Sequence, residues 1–200
     1  MRNNYEYIDP DYTYTDPKLG ILRNLANITN PNDLLFFEST AVIKRIKELS
    51  LKPINIQNAE TILSMHQYLF QDVYFWAGEK RTVEISKNGK QFFPLNHFDT
   101  AFSYIDKLIA EYRAIEKSNE KKIAQKLAEI LDNINHLHPF REGNGRTQRE
   151  FIRTLALEKG YALNLNPPDN ADVFERYMSG TIDGDVDKLA ALILELLTSE

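Results

Sequence analysis

A twelve-residue stretch from His138 to Arg149 separates two segments whose apolar residues recur at helical spacing. The first stripe consists of Ile123, Leu127, Ile130, Leu131 and Ile134, and the second of Phe151, Ile152, Leu155 and Ala156. Pro139 cannot continue a helix and also restricts the backbone of His138 before it. The sequence therefore predicts a helix–loop–helix, with His138 at the exposed end of the first helix.

Helical periodicity also covers most of the remaining chain. It predicts helices within residues 34–49, 55–74, 101–112, 172–178 and 186–197. Asn30 followed by Pro31 is a typical helix start, and Gly160 is a typical stop. We therefore expect an all-α fold, a helical bundle built around the helix–loop–helix.

Two segments depart from this pattern. Tyrosines alternate with Asp-Pro pairs near the N-terminus, which predicts an extended arm over residues 1–30 that packs on a single domain of residues 31–200. Residues 81–94 alternate around Asn88-Gly89, a two-residue hairpin signal. The hairpin is either a connector or a flap whose exposed edge pairs with an extended peptide.

Composition limits the classes of function. The chain has 200 residues, a formal net charge of -5 and no cysteine. This charge argues against a protein that coats nucleic acid, and the missing cysteines exclude disulfides and thiolate-held metals. We find neither a signal peptide nor a membrane-spanning run, so we expect a cytoplasmic protein without membrane or direct nucleic-acid contact.

The loop itself combines residues suited to phosphate chemistry. Free imidazole titrates near neutrality, so His138 could accept a proton from a hydroxyl. Phe140 is expected to point into the core and anchor the loop. Glu142 stands among cationic donors, where a carboxylate could hold Mg²⁺ together with phosphate oxygens. The alternative for Glu142 is a surface network with Arg141 and Arg146.

The glycines and arginines of the loop suggest an anion site. Gly143, Asn144 and Gly145 can turn successive amide hydrogens toward one point, and the following helix adds its positive N-terminal end. Arg146 and Arg149 are three residues apart, so both could lean to one side of that helix and bind phosphate. Alone, two such arginines would better fit a solvated helix face with ion pairs.

Competing motifs are absent. The chain has no Gly-x-x-x-x-Gly-Lys-Ser/Thr, so it does not contain a P-loop. Gly143-x-Gly145 lacks a third glycine and follows a helix, unlike a dinucleotide fingerprint. His136 and His138 could form a metal pair, but no third ligand has a suitable spacing.

Residues 138–149 match, position for position, the signature His-Pro-Phe-x-Asp/Glu-Gly-Asn-Gly-Arg-x-x-Arg of the Fic family. Residues 69–81 resemble the family's helix end that leads to its flap, and residues 10–49 resemble its cell-filamentation branch. The resemblance covers nearly the whole chain. It implies a Fic fold, with the flap at about 81–94 beside the motif, and an enzyme that transfers AMP from ATP to a protein hydroxyl.

The resemblance also implies a role for each motif residue. His138 would deprotonate the target hydroxyl, Glu142 would bind Mg²⁺, and Gly143, Asn144 and Gly145 would cradle the phosphates. Arg146 would contact the β- and γ-phosphates and Arg149 the γ-phosphate. The flap would align the target through Val83, Glu84, Ile85, Ser86 and Lys87. Residues 169–184 are expected to wall the adenine site, with Tyr177 as the candidate contact.

Many Fic proteins carry an inhibitory Ser/Thr-x-x-x-Glu-Gly/Asn helix, and this sequence has none. The only glutamate followed by Gly or Asn is Glu142, which His138 precedes by four residues. The resemblance then points to a toxin that a separate small antitoxin inhibits through Arg149. Relatives in this branch modify type II topoisomerases, so a topoisomerase with a Ser, Thr or Tyr hydroxyl is the first candidate target.

Two alternatives remain open at this point. The same fold could transfer another nucleotide or a phosphate group. A helical module that senses nucleotide without catalysis could also keep the loop, although a mere binder needs neither His138 nor Glu142.

Overall fold

The computed structural model describes residues 5–7, 9, 12–87 and 89–199, with the side chains of residues 5–7, 87 and 90 left out. Helices dominate this part of the chain, so the predicted all-α class is confirmed. The helices are α1 Pro31–Leu51, α2 Thr61–Phe70, α3 Phe98–Ala114, α4 Glu120–Leu137, α5 Asn144–Glu158, α6 Ala171–Asp183 and α7 Val186–Leu196. The strands are β1 Tyr5–Tyr7, β2 Ile85–Lys87, β3 Lys90–Gln91, β4 Tyr161–Ala162 and β5 Thr198–Ser199, and a 3-10 turn covers Leu95–His97. None of the described helices is both long and apolar enough to cross a bilayer.

Helix α4 is the centre of the bundle and packs against α3, α5 and α7. It begins at Asn119, whose side chain accepts a hydrogen bond from the Lys122 backbone N–H. Its predicted apolar stripe is buried from Ile123 to Ile134, and Leu137 extends it. The helix ends because His138 adopts a left-handed backbone with φ of 47°. The helix end, and with it the catalytic candidate, is therefore held by the core.

Helix α1 starts where the sequence predicts. The Asn30 side chain accepts hydrogen bonds from the backbone N–H groups of Asn32 and Asp33, and Pro31 occupies the first helical position. One face of the helix is buried and carries Leu34, Glu38, Val42 and Leu49. A glutamate on an otherwise apolar buried face requires a partner inside the protein.

Helix boundaries differ from the predictions in α2, α5 and α6, among others. Helix α2 starts at Thr61 rather than near Asn55, because the Thr61 hydroxyl accepts from the Gln57 backbone N–H and holds a turn. Helix α5 begins at Asn144, two residues before the expected start, and α6 continues to Asp183, where left-handed Gly184 ends it.

The described residues of the N-terminal arm lie against the turns that follow α2. Tyr14 is buried, its ring meets Trp76 edge to face at 5.5 Å, and its hydroxyl accepts from the Thr82 backbone N–H. The Leu25 backbone N–H donates to the Val73 carbonyl. These contacts connect the arm to the base of the predicted flap.

The hairpin is confirmed: β2 and β3 pair antiparallel through Ser86 with Gln91 and Lys87 with Lys90. Gly89 takes the positive φ of 75° that the turn needs, while Asn88 lies outside the described residues. The expected exposed edge of β2 is not present, because β1 pairs with it in the register Tyr5 to Lys87 and Tyr7 to Ile85. The strand order is β1-β2-β3, so the chain's own N-terminal segment covers the edge that was predicted to be open.

Candidate active site

His138 lies at the C-terminal end of α4, but the predicted exposed position was wrong: the residue is only 6% exposed. Its Nδ1 is 3.3 Å from the Asn135 carbonyl oxygen. A carbonyl can only accept, so Nδ1 carries the proton and the lone pair of the neutral ring is on Nε2. The Phe92 ring, which follows β3, stacks on the imidazole at a centroid distance of 3.8 Å. The ring of His138 is thus fixed in orientation and in tautomer.

Arg81 joins the flap to the loop that carries His138. Its backbone N–H donates to the Pro139 carbonyl, and its side-chain Nε donates to the His138 carbonyl at 2.9 Å. The guanidinium also donates to the carbonyls of Val83 and Phe93. This side chain is completely buried, and burial lowers its pKa while Glu84 opposes that change. Arg81 therefore sets the position of the flap relative to the imidazole.

A second histidine supports the loop from below. His66 of α2 accepts a hydrogen bond at Nδ1 from the Gly78 backbone N–H and donates from Nε2 to the Glu142 carbonyl at 3.0 Å. Its ring stacks on Phe140 at 3.7 Å, and Phe140 is fully buried as predicted. Burial lowers the pKa of His66 to about 3, so it is neutral at physiological pH.

Asn144 closes the loop on itself. Its side-chain oxygen accepts from the Phe140 backbone N–H, and its amide nitrogen donates to the Phe140 carbonyl. Both functions of this amide are used inside the loop, so only the Asn144 backbone N–H is left for a phosphate. The first turn of α5 presents such N–H groups at the positive end of the helix.

The two motif glycines are required for different reasons. Gly143 has a φ of 82°, and an added Cβ would overlap the Phe70 ring, so the fold itself excludes a side chain there. Gly145 has no positive φ, and its added Cβ would meet only the movable end of Arg149 at 3.4 Å. Packing alone does not demand glycine at 145, whereas close approach of a ligand would.

Arg146 and Arg149, which the three-residue spacing would allow to lean to one side, take different aromatic partners. The Arg146 guanidinium lies over Phe70 at 4.8 Å, while that of Arg149 lies over Phe174 and Tyr177 of α6. Arg146 also forms ion pairs with Glu38 and Glu142. Among the described residues, no carboxylate pairs with Arg149.

A cavity of ≈ 600 Å³ opens beside the loop between α4 and α6. Tyr177 contributes to its wall although it is 1% exposed, and its hydroxyl is hydrogen-bonded to the Gln148 amide nitrogen. The Gln148 side-chain oxygen is buried without a partner in the described residues. Burial raises the pKa of Asp132 on the opposite wall. The lining consists of Gln91, Phe92, Asp132, Asn135, His136, His138, Gly145, Gln148, Tyr177, Met178, Thr181, Ile182, Asp183 and Gly184.

The flap residues differ in their surroundings. Val83 and Ile85 are buried and contribute to the core, whereas Glu84 is exposed and accepts from Arg81 and from the Leu95 backbone N–H. Ser86 and Lys87 pair through their backbones with both β1 and β3. The structure thus brings the flap next to His138, but β1 pairs with the side of β2 that is opposite β3.

Glu142 is the one residue of the loop that was predicted to bind a metal ion. Its Oε1 accepts from the Gly143 backbone N–H at 2.9 Å and lies 3.5 Å from Arg146, and the side chain is 36% exposed. No cluster of three or more His, Asp or Glu in the described part of the chain could hold a metal ion. A single accessible carboxylate fits an Mg²⁺ ion whose other ligands are phosphate oxygens and water.

Sequence reasoning missed four residues that shape this site, namely Glu38, His66, Arg81 and Gln148. Glu38 follows Leu34 by four residues and so falls on the apolar stripe of α1. The sequence therefore contained a signal for this residue, because a buried carboxylate implies a cationic partner. His66 likewise falls on the apolar face of α2. The functions of Arg81 and Gln148 depend on tertiary neighbours that no local pattern reveals.

Comparison with known proteins agrees with this architecture. Residues 56–156 match the model of the Fic/DOC family. The chain is 33% identical to "Protein adenylyltransferase VbhT" of Bartonella schoenbuchensis over 92% of its length, and spans 39% of that relative. It is 34% identical to "Probable protein adenylyltransferase y4lH" of Sinorhizobium fredii, covering 90% of this chain and 93% of the relative.

A solved structure extends the likeness to the fold. BepC from Bartonella tribocorum, crystallised with bound AMPPNP, superposes with a TM-score of 0.83 at 20% identity and covers 94% of this chain and 98% of its own. At that identity the likeness concerns the fold alone. The family match and the two relatives above 30% identity lead to one conclusion: the chain belongs to the Fic/DOC family.

Proposed function

We propose that this protein is an adenylyltransferase that moves AMP from ATP to a hydroxyl side chain of a target protein. The observation that carries the proposal is the position of the oriented His138 ring, on the wall of a cavity of ≈ 600 Å³ beside a glycine loop and a helix N-terminus. The names of the relatives VbhT and y4lH support the same activity.

The proton of the target hydroxyl goes to His138. Because Nδ1 donates to the Asn135 carbonyl, Nε2 is the basic nitrogen, and the imidazolium that forms keeps this hydrogen bond. The hydroxyl oxygen then bonds to the α-phosphorus, and the bond from that phosphorus to the bridging oxygen breaks. Pyrophosphate leaves with the bonding electron pair, so atoms and charge balance.

The phosphates lie in this proposal at the start of α5. The backbone N–H groups of Asn144 and Gly145 and the helix N-terminus attract anionic oxygens. Arg146 and Arg149 add charge from two directions, since each packs on a different aromatic group. Such fixed donors stabilise charge that grows on the leaving pyrophosphate.

Mg²⁺ is proposed as the cofactor, held by Glu142 and by nucleotide oxygens. When bound, the ion would neutralise phosphate charge and polarise the group that is transferred. The exposed carboxylate of Glu142, restrained by the Gly143 N–H, is suited to bind Mg²⁺. The adenine would occupy the cavity between α4 and α6, with Tyr177 and its α6 neighbours as the wall.

The target would align on the flap through Val83, Glu84, Ile85, Ser86 and Lys87. A target strand added to the side of β2 that is opposite β3 must replace β1, because β1 already pairs with the backbone groups on that side. The pairing extends over three residues only, which makes such exchange inexpensive. A type II topoisomerase stays the first candidate for the target.

We also propose that a small separate antitoxin restrains the enzyme through Arg149. This guanidinium rests on Phe174 and Tyr177 without a carboxylate partner among the described residues. A partner's glutamate at that point would displace the terminal phosphate from its position. The cytoplasmic location and the division into an arm of residues 1–30 and one domain of residues 31–200 stay predictions.

The proposal is tested with α-labelled ATP, Mg²⁺ and a bacterial lysate. Wild-type protein should label discrete protein bands, and His138→Ala should reduce that labelling by about a thousandfold or more. Matched thermal unfolding of both proteins serves as the control for folding. Equal labelling by His138→Ala would reject the proposed role of the imidazole.

A further inference from the structure

Glu38 is the acidic member of the buried face of α1. It is 6% exposed and lies one turn from Leu34 and one turn from Val42, both in the core. An ionised carboxylate at such a position is costly unless it is paired and hydrogen-bonded. The pairing partners of Glu38 therefore reveal why the residue is there.

Both carboxylate oxygens of Glu38 are occupied. Oε1 lies 2.5 Å from Nη1 of Arg146, and Oε2 accepts a short hydrogen bond from the Tyr74 hydroxyl. Burial and the negative charge of Glu38 raise the pKa of Tyr74, so that its hydroxyl stays a donor. Glu38 is consequently held from two sides in one orientation.

Arg146 is restrained on three sides. Nη1 meets Glu38, the plane lies over Phe70 at 4.8 Å, and Nη2 is 3.5 Å from Glu142 at the loop. The side chain is still 23% exposed. The Nη1 nitrogen of Arg146 is thus held by Glu38, while the Nη2 nitrogen faces the motif loop.

We propose that Glu38 is a positioning residue, which holds the Arg146 guanidinium so that its loop-side nitrogen meets the phosphates beyond the α-phosphate. This inference rests on the proposed function, because it requires ATP in the cavity. Glu38 touches neither nucleotide nor target and acts only through Arg146.

The geometry favours an anchor over an internal brake. A brake would have to release Arg146 for phosphate, and Glu38 would then be a buried carboxylate with the Tyr74 hydroxyl as its remaining partner. Breaking one side of a buried ion pair is strongly destabilising, and a competing phosphate would have to supply the lost free energy. A planar guanidinium can instead bind Glu38 with one nitrogen and phosphate with another.

The experiment compares ATP with AMP, because AMP lacks the phosphates that Arg146 would contact. Affinities are measured by calorimetry with Mg²⁺ in His138→Ala protein, which prevents turnover. Adding Glu38→Gln should weaken ATP binding about tenfold and leave AMP within about twofold. A general loss of structure would weaken both nucleotides alike.

The same helix offers a matched control. Glu48 pairs with Arg45 at 3.0 Å and accepts from the Tyr68 hydroxyl at 2.8 Å, which repeats the chemistry of Glu38 away from the cavity. Glu48→Gln should leave the ATP-to-AMP affinity ratio unchanged. An unchanged ratio in Glu38→Gln as well would overturn the inference, and tighter ATP binding would identify Glu38 as a brake.

Two further variants protect the test against misfolding. Tyr74→Phe removes only the second hydrogen bond of Glu38 and should weaken ATP about threefold. In an Arg146→Ala background, Glu38→Gln should cause no additional loss of ATP affinity. An additional loss there would contradict action through Arg146. If the parent protein binds AMP but not ATP, or neither, the proposed function fails first and the inference fails with it.

Discussion

The motif loop, residues 138–149, and the flap, residues 81–94, are held in different ways. The loop is fixed by buried side chains: His66 holds the Glu142 carbonyl, Asn144 closes on Phe140, and Thr147 caps the Gly143 carbonyl. In the flap, the three residues of β2 face the two residues of β3, and β1 pairs with the other side of β2. The motif loop is thus preorganised, while the flap, which we propose as the target-binding element, depends on exchangeable backbone pairs.

The largest effect is expected from a side chain inside the loop. Gly143→Ala places a Cβ in the Phe70 ring at a positive φ, so it should lower the free energy of unfolding by about 3 kcal/mol and abolish ATP binding. Denaturant unfolding and calorimetry measure the two quantities. Gly145→Ala is the matched control, and it should keep the fold while weakening ATP. Equal loss of stability in both variants would contradict the assignment.

The connection between the two regions is expected to come next. Arg81→Lys cannot reproduce the fork that binds the carbonyls of His138, Val83 and Phe93, and should cost about 2 kcal/mol. Hydrogen exchange at the Phe93 N–H, which donates to the His136 carbonyl, should accelerate. Lys80→Ala, next to it, should change that exchange little. Unchanged protection in Arg81→Lys would mean that the flap is held by other contacts.

Acid should weaken the loop through His66. Its pKa is lowered by burial to about 3, below the ordinary 6.5, so on acidification the unfolded chain takes up the proton first. The contribution of neutral His66 to the free energy of unfolding is fully present above about pH 6.5 and is lost as pH falls toward 3. About 2 kcal/mol of it is lost by pH 5. Urea unfolding between pH 7 and 5 measures this slope, and His66→Gln should flatten it. The same slope in His66→Gln would place its origin in other groups.

The smallest effect concerns the edge of the flap. Deleting residues 1–8 removes β1. The initial rate of AMP incorporation at a limiting concentration of lysate protein should then rise about fivefold, because a short strand pair contributes about 1 kcal/mol. Deleting residues 1–4 keeps β1 and is the control. A lower rate after the longer deletion would show that β1 helps to build the target site.

The loop was readable from sequence because its determinants are local. Pro139 ends α4, glycine at 143 permits the positive φ, and the residue types of the motif state the chemistry. The apolar stripes likewise predicted the seven helices, with errors at boundaries such as Thr61, where a side-chain hydrogen bond decides. Local patterns were sufficient for these elements.

What the sequence concealed depends on partners that are distant along the chain. The pairing of Tyr5–Tyr7 with β2 joins segments about 80 residues apart, and three extended residues carry no signal for their partner. The Glu38–Arg146 pair similarly connects α1 with α5. The flap edge and the support of Arg146 therefore required the structure, whereas the catalytic loop did not.

The central claim is that the loop transfers the α-phosphate with its nucleoside to a protein. The most direct measurement supplies ATP labelled either on the α- or on the γ-phosphate to wild type and His138→Ala in the same lysate. We expect protein-bound label from the α-position only, and none with His138→Ala. Label from the γ-position on protein, or α-label that persists without His138, would contradict it.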